Sequence, residues 1–325
     1  MFRKLLISML GVVAIGSASA QQADVNFGII STDSAAHLKE EWAPILKDME
    51  KKTGYKVNAY FASDYAGIIE AMRFKKVDVA WMGNKSGIEA VDRAGGEVFA
   101  QTSYADGSPG YWSLLITHID SPYKTVEDVI KHGGEINFGL GDPNSTSGTA
   151  VPGYYVFAKN NIDPKTYFKS ARPSNHEANL MAVANKQVDV ATNNTEAFEK
   201  FQRRTPEMAK NIRVIWKSPL IPADPMVWRT DLDSARKAKI KAFFLAYGQG
   251  DSAEAKEELA KLAKLTFGVF RDSSNDQLVP IRQLELAKAK LKIESDSTIS
   301  ADEKKAKIAE IDKKLAALNT QVAAK

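Results

Sequence analysis

No cysteine occurs anywhere in the 325 residues. Disulfides, thiolate metal sites and a cysteine nucleophile are therefore excluded. So is the lipid anchor that needs a cysteine at a processed N-terminus. Histidine is nearly as scarce: His37, His118, His132 and His176 are all there are, and no two stand at metal-ligand spacing. No apolar run reaches the ~20 residues of a bilayer-spanning helix. Charge excess is missing too. The formal net charge is +4, or +2 after subtracting Arg3 and Lys4, too little to suggest nucleic acid or a membrane surface as partner.

What is present begins with a leader. Arg3 and Lys4 precede the apolar stretch Leu5 to Gly16, and Ala18-Ser19-Ala20 supplies the small residues a signal peptidase reads. Residues 1–20 are expected to be a signal peptide for export, leaving a mature chain from Gln21. Without disulfides that chain must rely on its core, and ~300 residues suffice for two lobes.

After Gln21, β-rich runs alternate with amphipathic helical stretches. Val25 to Ile30, Tyr55 to Ala62, Val77 to Trp81, Tyr111 to Ile119, Ile136 to Leu140, Val188 to Ala191 and Ile212 to Trp216 read as strands. The first predicted helix, Ala35 to Lys52, closes on Gly54. This rhythm predicts an α/β fold of mainly parallel sheets covered on both faces. One internal echo stands out. Lys76-Val77-Asp78-Val79-Ala80 and Gln187-Val188-Asp189-Val190-Ala191 each follow a helix and precede a polar loop. Ligands sit at strand carboxyl ends in open α/β sheets, so two such ends suggest two lobes facing one cleft. The chain is expected to cross between lobes near Asp120 and to return near Pro222. That divides it into a first lobe (21–119 and 222–278), a second lobe (120–221) and a helical tail (279–325). In the tail, Ile308, Ile311, Leu315, Leu318 and Val322 step by three and four. Ser300 with Glu303 forms a capping box at the start of that helix. The seam packs either on the protein's own lobes or on a second copy, as a dimerisation arm.

The segment richest in chemistry is Gly139-Leu140-Gly141-Asp142-Pro143-Asn144-Ser145-Thr146-Ser147-Gly148, between a predicted strand and a predicted helix running to about Asn160. A helix start exposes free N–H groups and a partial positive charge. Three successive hydroxyls there can surround a tetrahedral oxyanion, and Gly148 permits close backbone approach. The plainer alternative is that Ser145 or Ser147 is an ordinary N-cap. The segment is neither a Walker A loop nor a dinucleotide fingerprint.

Longer stretches carry a resemblance. They are Phe27 to Thr32, Asp64 to Ile69, Asp106 to Trp112, Gly141 to Gly148, Val151 to Asn161, Val188 to Glu196, Trp216 to Pro222 and Val279 to Leu284. Across about Asn26 to Leu284 the chain resembles the periplasmic phosphonate-binding components of phosphonate ABC transporters, two-lobed type II solute-binding proteins. The resemblance implies that Ser145, Thr146, Ser147, Tyr111 and His176 hold the phosphonate oxygens. It implies that Tyr65 lines the organic end and that Glu196 and Asp224 grip an ammonium group, with 2-aminoethylphosphonate the expected ligand. Tyrosine faces beside that ammonium would add cation–π attraction. It further implies permease subunits in the inner membrane as partners, and no cofactor or catalysis. Taken singly, these residues have ordinary alternatives: His176 as a helix cap, the tyrosines as half-buried aromatics, Glu196 as a first-turn carboxylate and Asp224 as a turn residue. Trp81, Trp112 and Trp216 read equally as core or cleft wall. Met82 and Tyr104 depart from the family pattern, an aromatic and a small residue respectively, and either departure can reshape the pocket wall. Retention of both acids argues against a bare phosphorus oxyanion, beside which an unpaired carboxylate is unfavourable. The competing functional classes are an extracytoplasmic hydrolase of phosphorus compounds, for which Ser145 lacks a sequence-local base, and an assembly protein acting through its tail.

Overall fold

The structure, a computed structural model, describes residues 24–323; the expected leader lies outside the described residues. In chain order the strands are β1 (Asp24–Ile29), β2 (Lys56–Phe61), β3 (Val79–Trp81), β4 (Gly96–Gln101), β5 (Gly110–Tyr111), β6 (Ser113–His118), β7 (Asn137–Leu140), β8 (Ser170–Pro173), β9 (Val190–Asn194), β10 (Ile212–Lys217), β11 (Ile221–Pro222), β12 (Pro225–Arg229) and β13 (Arg271–Asp272). Two sheets result, ordered β13-β4-β12-β3-β1-β2 and β10-β6-β9-β7-β8, joined by the short ribbon β11-β5.

Burial explains the layering. Val25, Phe27 and Ile29 alternate along β1 and are fully buried, as are Leu38, Trp42, Ile45 and Met49 of the helix Ala35–Thr53 in the same core. On the opposite face Gly28 brings the helix Tyr65–Arg73 close: a Cβ there would lie 2.9 Å from Ile68 and Val77. Helices therefore cover both faces of the first sheet. Gly54, in the left-handed region at φ 71°, ends the first helix as its sequence position requires.

The sheets are mixed rather than mainly parallel. β1 runs parallel to β2 and β3, and β7 to β8 and β9. β12 is antiparallel to β3 and β4, and β6 to β9 and β10. The reason is the crossing. β6 and β12 arrive from the other lobe and run against strands that arise inside their own. The first crossing also falls earlier than expected. β6 already belongs to the second sheet, so the chain passes between lobes at Gly110–Tyr111 rather than near Asp120. Asp120 lies beyond the far end of β6, its carboxylate 3.0 Å from Lys186. The return passes through Pro222, opposite Gly110. A Cβ on Gly110 would sit 2.1 Å from the Ile221 carbonyl oxygen, so only glycine lets the two crossing strands meet.

The tail forms two helices, Val279–Ser295 and Ala301–Ala323. The first spans both lobes. Ile281 is buried with Tyr104, Tyr111, Val151, Ile221 and Ala223 behind the crossing ribbon, and Arg282 holds Asp92 by two hydrogen bonds. Along the second helix Ile311 is buried and Ile308, Leu315 and Leu318 are half-buried. The helix packs on its predecessor rather than directly on the lobes, with Lys290 pairing Asp312 at 2.7 Å.

Candidate functional site

Strand ends and helix starts converge between the lobes. Ser145 follows β7 and is the N-cap expected: its Oγ accepts the Gly148 N–H at 2.9 Å. The helix it opens is wider than expected. Ala150 N–H reaches back five residues to the Ser145 carbonyl, giving π-helical turns over Thr146–Ala150 and Gly153–Phe157. Pro152 has no N–H to offer the Gly148 carbonyl, which accepts instead from Gly141 N–H and Thr192 Oγ1 (3.2 and 2.8 Å). A Cβ on Gly141 would fall 2.4 Å from Gly148 Cα. The close approach that Gly148 permits is thus to its own chain.

All three hydroxyls are buried, and they face different partners. His176, the first residue of the helix His176–Ala184, brings Nε2 within 3.4 Å of Ser145 Oγ and 3.5 Å of Ser147 Oγ. Asn194, the N-cap of the helix Thr195–Arg204, directs its amide nitrogen to Ser147 Oγ at 3.0 Å and lies 3.3 Å from His176 Nε2. Thr146 Oγ1 accepts the backbone N–H of Lys85 from the other lobe at 2.8 Å. Burial pushes the His176 imidazole down to about 4, so the ring is neutral at physiological pH. Its Nδ1 is buried without a partner.

The two acids come from different lobes: Glu196 from the helix that Asn194 caps, on the side of the serines, and Asp224 from just before β12 across the cleft. Tyr111, on the crossing ribbon, donates its hydroxyl to Asp224 Oδ1 at 3.0 Å. Asp224 is itself pinned to Thr102 through its N–H and carbonyl. Part of the Glu196 side chain is exposed but its Oε1 is buried; the Tyr104 hydroxyl faces this carboxyl and the Trp81 indole nitrogen faces Asp224, each outside regular hydrogen-bond geometry. Burial pushes the Glu196 carboxyl up to about 7. Burial, and next the Glu196 charge, push Asp224 well above the usual carboxylate range. The two ends are near neighbours: the Cβ position of Gly83 lies 3.2 Å from Thr146 Oγ1 and 3.9 Å from Asp224 Oδ1. Tyr65 is buried on the serine side, its hydroxyl beside Ser145 and its N–H reaching Asp142 Oδ2 at 3.1 Å across the lobes.

The structure thus brings Ser145, Ser147 and His176 into one cluster and joins Tyr111 to Asp224. Asn194 was missed from sequence. It lies in the polar loop after the second echo, but nothing local reveals that its amide turns back on Ser147. Trp81 is both core and wall, packed 5.6 Å from Trp42 and from Phe267 with its indole nitrogen turned toward Asp224. Trp112 carries Lys217 Nζ over its ring at 3.8 Å, and Trp216 is half-buried. Met82 is fully buried, hydrogen-bonded through its backbone to Pro225, and belongs to the core. Beside Glu196 and Asn194 the enclosed space measures only about 20 Å³, room for about one water.

Serine beside histidine raises the question of catalysis. The hydrolytic arrangement needs an imidazole oriented by a third group and able to take a proton. Here Nδ1 has no such partner and the ring is a weak base. Among the described residues no cluster of histidine and carboxylate side chains is placed to hold a metal ion.

Residues 27–278 match the family model of the periplasmic substrate-binding protein of phosphonate ABC transporters. The chain is 54% identical over 310 residues to the phosphonates-binding periplasmic protein of Escherichia coli K12, covering 95% of this chain and 90% of that one. A binding-protein component of an ABC phosphonate transporter from Pseudomonas aeruginosa superposes with a TM-score of 0.90 at 54% identity, covering 94% and 99%. PhnD1 of Prochlorococcus marinus, solved with methylphosphonate, shares the fold at 20% identity and a TM-score of 0.69, covering 80% and 96%. These relatives are solute-binding proteins, not enzymes. The chain belongs to the periplasmic phosphonate substrate-binding proteins of ABC transporters.

Proposed function

We propose that this protein captures 2-aminoethylphosphonate in the periplasm and hands it to the permease of an ABC importer. The observation that carries this reading is the pairing of two unlike ends in one cleft. One end is a nest of hydroxyls, helix-start N–H groups and a neutral imidazole; the other is a pair of buried carboxyls. A phosphonate suits the first because Ser145, Thr146 and Ser147, with the His176 ring, can donate to its oxygens, and Tyr111 would join them by turning its hydroxyl from Asp224. An ammonium suits the second because two buried acids lack a cation, and a paired, hydrogen-bonded charge is far less costly than a lone one. Tyr65 would flank the linking carbons.

Closure follows from the same arrangement. The space beside Glu196 is too small to admit a ligand, so entry requires the lobes to part about the β5–β11 ribbon, a hinge motion. The closed form would then present the face the permease reads. Residues 1–20, read as an export signal, fit this location. The tail is assigned a homodimer: half-buried Ile308, Leu315 and Leu318 leave apolar edges that a second copy's tail would cover.

Calorimetry of the mature protein with 2-aminoethylphosphonate, methylphosphonate, phosphate and phosphite tests the assignment. Saturable binding without turnover, tightest for the aminoethyl ligand, is expected. Tighter binding of phosphate or phosphite would overturn the choice of ligand, and release of inorganic phosphate would overturn the binding role.

A further inference from the structure

Beside the site lies a cluster of buried charges that ligand capture, as described so far, does not use. Its members are divided between the lobes. Asp33 and Glu41 belong to the first lobe, Asp33 just before the helix Ala35–Thr53 and Glu41 in its second turn. Lys200 and Arg204 lie on the helix Thr195–Arg204 of the second lobe, and Glu177 on the helix His176–Ala184. Lys200 Nζ bonds the Asp33 carboxylate and lies 3.2 Å from Glu41; Arg204 reaches Asp33 at 3.1 Å and Glu177 at 3.7 Å. Glu177 in turn accepts the Ser34 N–H at 2.7 Å and meets His37 Nδ1 at 2.6 Å. The Asp33 side chain is wholly buried and that of Lys200 is 6% exposed.

Both ends of the ligand site share elements with this cluster. Lys200 stands one helical turn beyond Glu196. Thr32, next to Asp33, accepts the His176 N–H at 3.1 Å through its carbonyl. Apart from the Arg204–Glu177 pair inside the second lobe, these bonds cross from lobe to lobe, so they exist only while the cleft is shut. The cluster is also separate from the β5–β11 hinge, whose neighbours are Tyr104, Tyr111, Ile221 and Ile281.

The geometry points to a closing latch: Asp33 and Lys200, supported by Glu41 and Arg204, are positioning residues that fix the register in which the lobes shut on ligand. In the open form each charge is solvated. On closure each must find its partner, because a charge buried alone is strongly unfavourable while a well-matched pair roughly offsets its own desolvation. The latch therefore adds little net attraction when matched and rejects closures in which the lobes meet out of register. A mismatched latch prevents the Ser145–Ser147 nest and the Glu196–Asp224 pair from engaging one ligand together. This inference rests on the proposed phosphonate site for its affinity readout, but not for its conformational one.

The test uses three variants of the full mature chain. Lys200→Met and Asp33→Asn each leave a buried charge short of its partner. Asp33→Leu with Lys200→Met replaces the pair by apolar side chains, leaving Glu41 and Arg204, which keep some access to solvent (12% and 23%). Methylphosphonate is the first probe, since it carries no ammonium for Glu196 to sense. Each single variant should weaken its binding roughly 30- to 100-fold, and the double variant should recover to within about threefold of wild type. A structural role confined to one lobe would not move the second readout. The native chain lacks cysteine, so spin labels on Lys76→Cys and Gln187→Cys, exposed positions on opposite lobes, report the interlobe distance directly. Single variants should shift the ligand-saturated distribution to longer distances, and the double variant should restore it. Unchanged distances in the single variants, or a double variant as open as either single, would overturn the latch. If wild type binds none of the phosphonates, the ligand assignment fails instead. The distance distributions of the unliganded wild type and variants then decide the latch alone.

Discussion

The two echo segments perform the same task at their beginnings and opposite tasks at their ends. Asp78 and Asp189 each accept the N–H of an asparagine in the neighbouring strand, Asn26 at 2.9 Å and Asn137 at 2.8 Å. Each fastens β3 or β9 to the parallel strand beside it. Beyond the strands the lobes diverge. In the second lobe Asn194 caps the following helix with its own side chain, accepting the Ala197 N–H at 2.7 Å. In the first lobe Gly83 has no side chain to cap the helix Asn84–Arg93. There the Lys85 N–H is satisfied by Thr146 from across the cleft. One helix start is therefore complete in its own lobe, while the other is completed only by closure. Asymmetry between similar lobes leaves one helix start finished on its own and the other dependent on contact between the lobes.

That comparison can be broken most sharply at the acidic end. Glu196→Gln should weaken 2-aminoethylphosphonate roughly 30- to 100-fold, as expected for losing one partner of a buried charge pair, and change methylphosphonate by less than about threefold. Equal losses by calorimetry would sink the ammonium assignment. The caps come next. Asn194→Ala should cost about 1 kcal/mol of stability through the lost N-cap and about tenfold in affinity for either ligand. Gly83→Ala, whose new methyl would meet Thr146 Oγ1 at 3.2 Å, should hinder closure alone. An affinity loss of about fivefold with an unchanged Tm of the unliganded protein is expected, and a lowered Tm would place its effect within the first lobe.

The pH dependence of stability separates the two ends further. Glu196 is raised from 4.5 to about 7, so between those values the folded protein binds more protons than the unfolded chain, and stability falls as pH rises. His176, lowered from 6.5 to about 4, acts in reverse, and its contribution grows as pH rises through that window. The effects oppose each other in the wild type. Removing the acid with Glu196→Gln should shift the change in Tm from pH 4.5 to 6.5 upward by about 5 °C relative to wild type. His176→Asn should shift it downward. Parallel curves for both variants would contradict the assignment of opposite protonation at the two ends. The smallest effect is expected from the tail. Ending the chain at Ser295 should leave ligand affinity within about twofold while halving the mass seen by light scattering; an unchanged mass would remove the homodimer.

Much of this was legible from residues in order. The Ser145 cap, the Gly54 helix stop and the tail seam follow local rules, in which a side chain's partners lie within a turn or two. The equivalence of the two echoes is also visible, because strand and helix periods repeat. The mixed sheets were not legible: strand direction depends on which lobe a strand enters from, and alternation of elements is blind to that. The early crossing was hidden for a related reason. Gly110-Tyr111 and Ser113 to His118 read as one β-rich run, and only the pairing partners show that the run changes sheets after Tyr111.

Sequence by itself determined the family, through long stretches shared with it, and the Ser145 cap, whose partner lies three residues away. Tertiary structure alone decided that His176 shares its nitrogen with two serines, that Asn194 turns back on Ser147, and that Glu196 and Asp224 are raised together. Those properties depend on burial and on distances between residues far apart in the chain. A titrating group responds to the dielectric and charges around it, and these come into being only when the lobes meet.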